Sequence, residues 1–115
     1  MFVSVTRLHL RGKRMLPIFF IHTIKSIIQS KKAEGIVHSS FEKEGWITYW
    51  TLTVWENEDC MKEYRNNGNH LKAMKISRKI ADQLEKINWE DDNIPNWKEC
   101  KKLLHKKYGR NIKTS

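Results

Sequence analysis

Residues 46–55, WITYWTLTVW, constrain the fold more than any other segment. Nearly every residue there is aromatic, β-branched or Leu, the side chains that suit a pleated, half-buried surface. Both alternating sets are apolar or nearly so. Such a strand needs cover on both faces, which places it in the middle of a sheet. It runs straight into a helix, for which Asn57 is the cap and Glu58 and Asp59 complement the dipole in the first turn. Cys60, Met61 and Tyr64 supply that helix with a packing stripe, and Asn67-Gly68 suits a left-handed stop. His70 follows at once. An aromatic strand-to-helix corner beside a single imidazole is a place to hold an apolar ligand.

The flanking segments supply the other layers. Residues 2–8 alternate and are rich in β-branched side chains, predicting a strand. Pro17 suits the first turn of a helix over residues 16–31. On a wheel of about 100° per residue, Leu16, Phe20, Thr23, Ile24, Ile27 and Ile28 share one side, the expected packing side, and His22 lies opposite in solvent. Residues 36–42 predict a short strand, with a hairpin turn at Glu44-Gly45. A second helical piece is expected from His70 to about Ile80, with Leu71 and Met74 on its apolar side, then a strand over 84–90. Asn96 and Glu99 open a last helix, lined by Trp97, Cys100, Leu104 and Tyr108 and ended by Gly109. Trp89 and Trp97 are expected to fasten that helix to the sheet.

At 115 residues the chain is expected to be one domain, with residues 111–115 frayed. That length buries a core without disulfides or metal. Cys60 and Cys100 lack metal or redox spacing, and each falls on the apolar stripe of its helix, which suits small buried thiols in a reducing compartment. The apolar run 16–28 is interrupted by polar residues and is too short to span a bilayer. A cytoplasmic protein without a membrane partner is expected.

Twenty-two Lys and Arg against thirteen Asp and Glu give a formal charge of +9, a field that attracts phosphates, anionic lipids and acidic small molecules. The lysines at 101, 102, 106 and 107 occupy the outer side of the last helix, so a solvated face accounts for them. No zinc finger, helix-turn-helix pattern or stacking aromatic pair is present, so a nucleic-acid partner rests on charge alone. The histidines show no metal-ligand spacing.

The element order is strand, helix, strand, strand, helix, strand, helix. The first six spell the ferredoxin-like βαββαβ arrangement of the α+β class, with an extra C-terminal helix. Because residues 46–55 offer apolar side chains to both sides, the sheet's second face also needs cover. A second copy stacked across a two-fold axis supplies it, and a homodimer is expected.

The run Thr51-Leu52-Thr53-Val54-Trp55-Glu56-Asn57-Glu58-Asp59, with Tyr64 and Gly68-Asn69-His70, resembles the dimeric α+β barrel superfamily, which includes antibiotic biosynthesis monooxygenases and haem-degrading monooxygenases. The opening residues 2–8, Asn88-Trp89, Pro95-Asn96-Trp97 and Gly109-Arg110 are most similar to bacterial proteins grouped near spheroidene monooxygenase. The resemblance implies a cavity between sheet and helices in each subunit, holding a small apolar or aromatic molecule for monooxygenase-like chemistry. It implies Arg7 as an oxyanion anchor, Phe20 and Ile24 from the first helix, Trp50 and Trp55 as walls, Tyr64 beside them, and His70 as hydrogen-bond donor or base.

Cofactor-independent members let the substrate supply the electrons for oxygen. Haem-degrading members carry an asparagine on the first strand, a tryptophan on the second helix and a ligating histidine about ten residues later. Arg7, Tyr64 and Met74 stand at those positions here. The cofactor expectation is therefore none or haem. The alternative functions are a haem-binding module without turnover or a basic nucleic-acid-binding protein.

Overall fold

The computed structural model describes residues 1–66 and 68–109, and for residues 68–71, 73 and 74 the backbone only. The expected stop at Asn67, the side chains of His70, Leu71 and Met74, Arg110 and the fraying of 111–115 lie outside the described residues. The elements are β1 (Phe2–Leu10), a short 3-10 turn (Lys13–Met15), α1 (Leu16–Lys31), β2 (Ile36–Glu44), β3 (Thr48–Trp55), α2 (Glu58–Arg65), α3 (Gly68–Ile80), β4 (Ala81–Glu90) and α4 (Trp97–Lys107).

The strands form one antiparallel sheet in the order β2-β3-β1-β4. The α+β class, the βαββαβ order and the added C-terminal helix are as the sequence predicts. β3 sits inside the sheet, flanked by β2 and β1, as its double-sided apolar pattern requires. The second helical crossover is split. α2 ends at Arg65 with Asn66 as its cap, α3 starts at Gly68, and α3 passes into β4 with no loop between Ile80 and Ala81. Gly45 carries the hairpin between β2 and β3 at φ 71, a conformation that favours glycine. At the start of β2, a Cβ on Gly35 would meet Cys60 Sγ at 2.5 Å, so only glycine lets α2 approach this closely.

Helix caps follow the predicted residues. Asn57 Oδ1 accepts from the Cys60 amide at 2.9 Å, and Asn96 Oδ1 from the Glu99 amide at 2.8 Å. Each satisfies an amide that the first turn leaves without a carbonyl.

The two faces of the sheet are covered differently. On one, α4 lays Cys100 and Leu104 on Val3, Val5, Trp50, Leu52 and Val54, all essentially inaccessible to water. Trp89 and Trp97 pack at its margin, and Trp89 Nε1 donates to Asp91 Oδ2 at 3.1 Å. The expectation of a second copy rested on hiding this face; α4 of the same chain covers these residues. On the other face lie α1, α2 and α3.

α4 also reaches the sheet's edge. Tyr108 Oη accepts from the Lys86 amide at 3.1 Å, and Lys107 Nζ donates to the Lys86 carbonyl at 2.8 Å.

α1 has the predicted span and a rotated packing side. Phe19, Thr23, Ser26, Ile27 and Ser30 turn toward the sheet, whereas Phe20, Ile24 and Ile28 are exposed. The wheel assumes that the sheet beneath the helix is apolar. Beneath α1 it carries Ser4, Thr6, Thr51 and Thr53, and small hydroxyl-bearing residues suit that surface better than isoleucine does.

Candidate functional site

Strand register builds a floor. On the face under α1, α2 and α3, residues align across the sheet in successive rows. Ser39, Thr53, Ser4 and Asn88 form one row, and Phe41, Thr51, Thr6 and Lys86 the next. Tyr49, Leu8 and Leu84 follow in the third. Beyond the first row stand Trp55 and Phe2. The centre of the floor is thus hydroxyl-bearing and its ends are apolar.

The helices close a cavity of about 170 Å³ over this floor. α1 contributes Phe19, Thr23, Ser26, Ile27 and Ser30, α2 contributes Met61, Tyr64 and Arg65, and α3 contributes Ser77. At one end Phe19, Phe41 and Tyr49 form a ring cluster, with Phe19 and Tyr49 centroids 4.5 Å apart. At the other, Trp55 and Tyr64 centroids are 5.0 Å apart, with Met61 and Phe2 in the same cluster. On the β4 side Leu84, Lys86 and Asn88 are exposed, which makes this edge the mouth.

No Asp or Glu is among the lining residues described, while Arg65 and Lys86 both border the space. The site therefore favours neutral or anionic oxygen over cationic groups. Tyr64 Oη donates to the Ser26 carbonyl at 3.0 Å. Burial pushes its pKa well above the usual tyrosine range, with a smaller opposing contribution from Ser30, so the phenol stays protonated and cannot serve as a base at neutral pH. Ser26 Oγ is buried and has no hydrogen-bond partner among the described residues. A buried hydroxyl without a partner is costly, and a ligand oxygen in this cavity would satisfy it.

The residues anticipated from the sequence separate into three groups. Tyr64 lines the cavity, and Trp55 backs it from behind Tyr64 without reaching the open volume. Ile24 belongs to the exposed side of α1, and Phe20, partly exposed, sets its ring edge-on to Tyr49 at 5.8 Å behind the ring cluster; neither lines the cavity, where Phe19 stands in place of Phe20.

Arg7 and Trp50 pair with each other across β1 and β3, and strand alternation puts them on the α4 side. Trp50 is fully buried there, with His105 edge-on to its ring at 5.3 Å. Arg7 Nη1 bonds Glu85 Oε1 at 3.2 Å and Gln83 Oε1 at 2.9 Å, so its charge is met by a directly opposed strand residue rather than by a ligand. His70 belongs to α3, seven residues before Ser77, and its side chain lies outside the described residues.

Sequence inspection missed the hydroxyl band. Its signal was available in the alternating Ser4 and Thr6, the alternating Thr51 and Thr53, and the helical spacing of Thr23, Ser26 and Ser30.

A metal centre finds no support among the described residues, where no group of three His, Cys, Asp or Glu converges. Haem does not fit the site as described. An engineered cavity of about 150 Å³ holds a single benzene ring, so about 170 Å³ does not hold a four-ring macrocycle, and no His or Cys is among the described lining.

No protein-family model and no curated protein sequence matches the chain. Solved structures match it closely in fold. SnoaB from Streptomyces nogalater, a cofactor-independent oxygenase crystallised as a point mutant, superposes with a TM-score of 0.67 at 15% identity, covering 81% of this chain and 94% of that one. A putative antibiotic biosynthesis monooxygenase from Nitrosomonas europaea gives 0.73 at 8% identity, over 81% and 100%. Another from Deinococcus radiodurans gives 0.66 at 13%, over 84% and 97%. The chain has the fold of the antibiotic biosynthesis monooxygenase-like structures.

Proposed function

We propose that this protein binds a small aromatic or apolar molecule bearing oxygen functions within its subunit, for monooxygenase-like chemistry. The observation that carries this is the hydroxyl band across the sheet floor, bracketed by ring clusters inside a closed-over cavity. Rings at the two ends suit a ring-bearing ligand. The central hydroxyls and the unpartnered Ser26 Oγ suit its oxygens, and Lys86 and Arg65 stabilise negative charge that develops on it. The superposed structures, SnoaB among them, are consistent with this chemistry.

Oxidation of a ring methylene to a carbonyl by O₂ forms one C=O bond, breaks two C–H bonds and releases water. It balances without an outside electron donor. The residues described here would orient the substrate, exclude water and hold its anion. His70 is the candidate to take the first proton, as the resemblance implies. A two-sheet dimer, as in the superfamily that the sequence resembles, would have to accommodate α4 between the sheets. The proposed cavity lies on the opposite face and needs no partner.

Binding of small hydroxylated aromatics that carry a ring methylene, followed by tryptophan fluorescence, tests the proposal, with oxygen uptake measured in parallel. The native chain binds them, and Thr51→Leu, which fills the middle of the floor, weakens binding at least about tenfold. Absence of binding, or binding unchanged in Thr51→Leu, overturns it. Haemin added to the protein is expected to give no Soret shift.

A further inference from the structure

The outer surface of α1 is inverted relative to an ordinary surface helix. Ile18, Phe20, Ile21, Ile24 and Ile28 are between 41% and 56% exposed, while Thr23, Ser26 and Ser30 face inward. Phe20, Ile21, Ile24 and Ile28 fall within an arc of about 100° on the helix wheel, with Lys25 and Lys32 along its border. A contiguous apolar stripe of this kind marks a surface that something else covers.

Charge identifies what covers it. From Leu10 to Ala33 the chain has Arg11, Lys13, Arg14, Lys25, Lys31 and Lys32 and no acid. α3, packed beside α1 on the same face of the sheet, has Lys72, Lys75, Arg78 and Lys79 and no acid. All ten are cations, more than the whole surplus of +9, so the rest of the molecule is close to neutral. Ten cations and no acid thus stand in α1, α3 and the turn before α1, around the exposed isoleucines, whereas α4 on the opposite face carries its five lysines and one acid without an exposed apolar stripe.

We propose that this α1–α3 layer docks on the surface of an anionic lipid bilayer. The isoleucines enter the interface and the lysines and arginines meet the headgroups, the combination that holds an amphipathic helix in the membrane plane. No helix among the described residues is long and apolar enough to cross a membrane, so the contact is with the surface. A second copy meeting this face symmetrically would set its cations against their own kind. A nucleic acid would meet the cations and leave the isoleucines in water. The inference does not depend on what the cavity binds, and it goes beyond the sequence-based expectation of no membrane partner, which rested on the lack of a spanning segment.

The test is flotation of the full chain with phosphatidylcholine vesicles, with and without about 30% phosphatidylglycerol. Binding is expected with the anionic vesicles, weak with neutral ones, and reduced by salt. Ile24→Gln/Ile28→Gln changes only exposed side chains, so its circular dichroism and melting should match the native chain while its vesicle binding falls at least about tenfold. Lys75→Glu/Arg78→Glu should weaken binding to anionic vesicles alone. The proposal is overturned by absence of binding to anionic vesicles, by equal binding to both kinds, or by binding that survives the isoleucine double substitution. It is also overturned if light scattering shows a native dimer that this variant loses while vesicles stay unbound, or if a duplex oligonucleotide binds and vesicles do not.

Discussion

The two faces of the sheet solve opposite problems with the same strands. Under α4, Val3, Val5, Trp50, Leu52 and Val54 meet Cys100 and Leu104 in an apolar layer in which Trp50 is fully buried. Under α1, α2 and α3, the alternate residues of those strands carry hydroxyls and enclose a cavity. Alternation lets one strand serve both, since each successive side chain changes face. Stability should therefore respond to substitutions on the α4 face, and ligand binding to substitutions on the cavity face.

Trp50→Ala is the strongest test of that division. It should cost about 3–5 kcal/mol, as truncation of large buried aromatics does, measured by denaturant unfolding. A loss below about 1 kcal/mol would show that α4 is not the packed layer described. Glu85→Ala comes next. It strips Arg7 of its carboxylate, both side chains being about 10% exposed, and should cost about 3 kcal/mol because a buried charge is left uncompensated. Restoration of stability by adding Arg7→Leu would show that the unpaired charge is the cause.

The smallest expected effect concerns Cys100. Burial, aided by Glu99, raises its thiol from 9.0 to about 11. The folded state therefore holds this proton more tightly than the unfolded chain does. The associated stability is intact below pH 9 and is lost as the pH climbs from 9 toward 11. Cys100→Ser should flatten that alkaline limb. In the native protein at pH 8 a thiol reagent should modify Cys60 well before Cys100.

Local chemistry was legible in the sequence and relative placement was not. Asn57 and Asn96 announce their helices because capping depends on residues within one turn, and the β3 pattern announces a central strand because burial on both sides needs apolar residues on both sides. Arg7 was misplaced because its side depends on strand register, which brings Glu85 opposite it from 78 residues away. Trp50 and Trp55 could not be assigned to faces until α4 had a position. The rotation of α1 escaped the wheel because apolar periodicity records which residues are alike rather than which side is buried. Here the isoleucine side is outside and the serine side is in.

The hydrogen bonds that Tyr108 and Lys107 make with Lys86 give the end of α4 an influence beyond its size. An unpaired strand margin is an invitation to neighbouring molecules to add strands of their own. With its amide and carbonyl at Lys86 already engaged, β4 offers an interrupted template. Tyr108 and Lys107 thus guard against unwanted polymerisation, along the same border through which the proposed ligand enters.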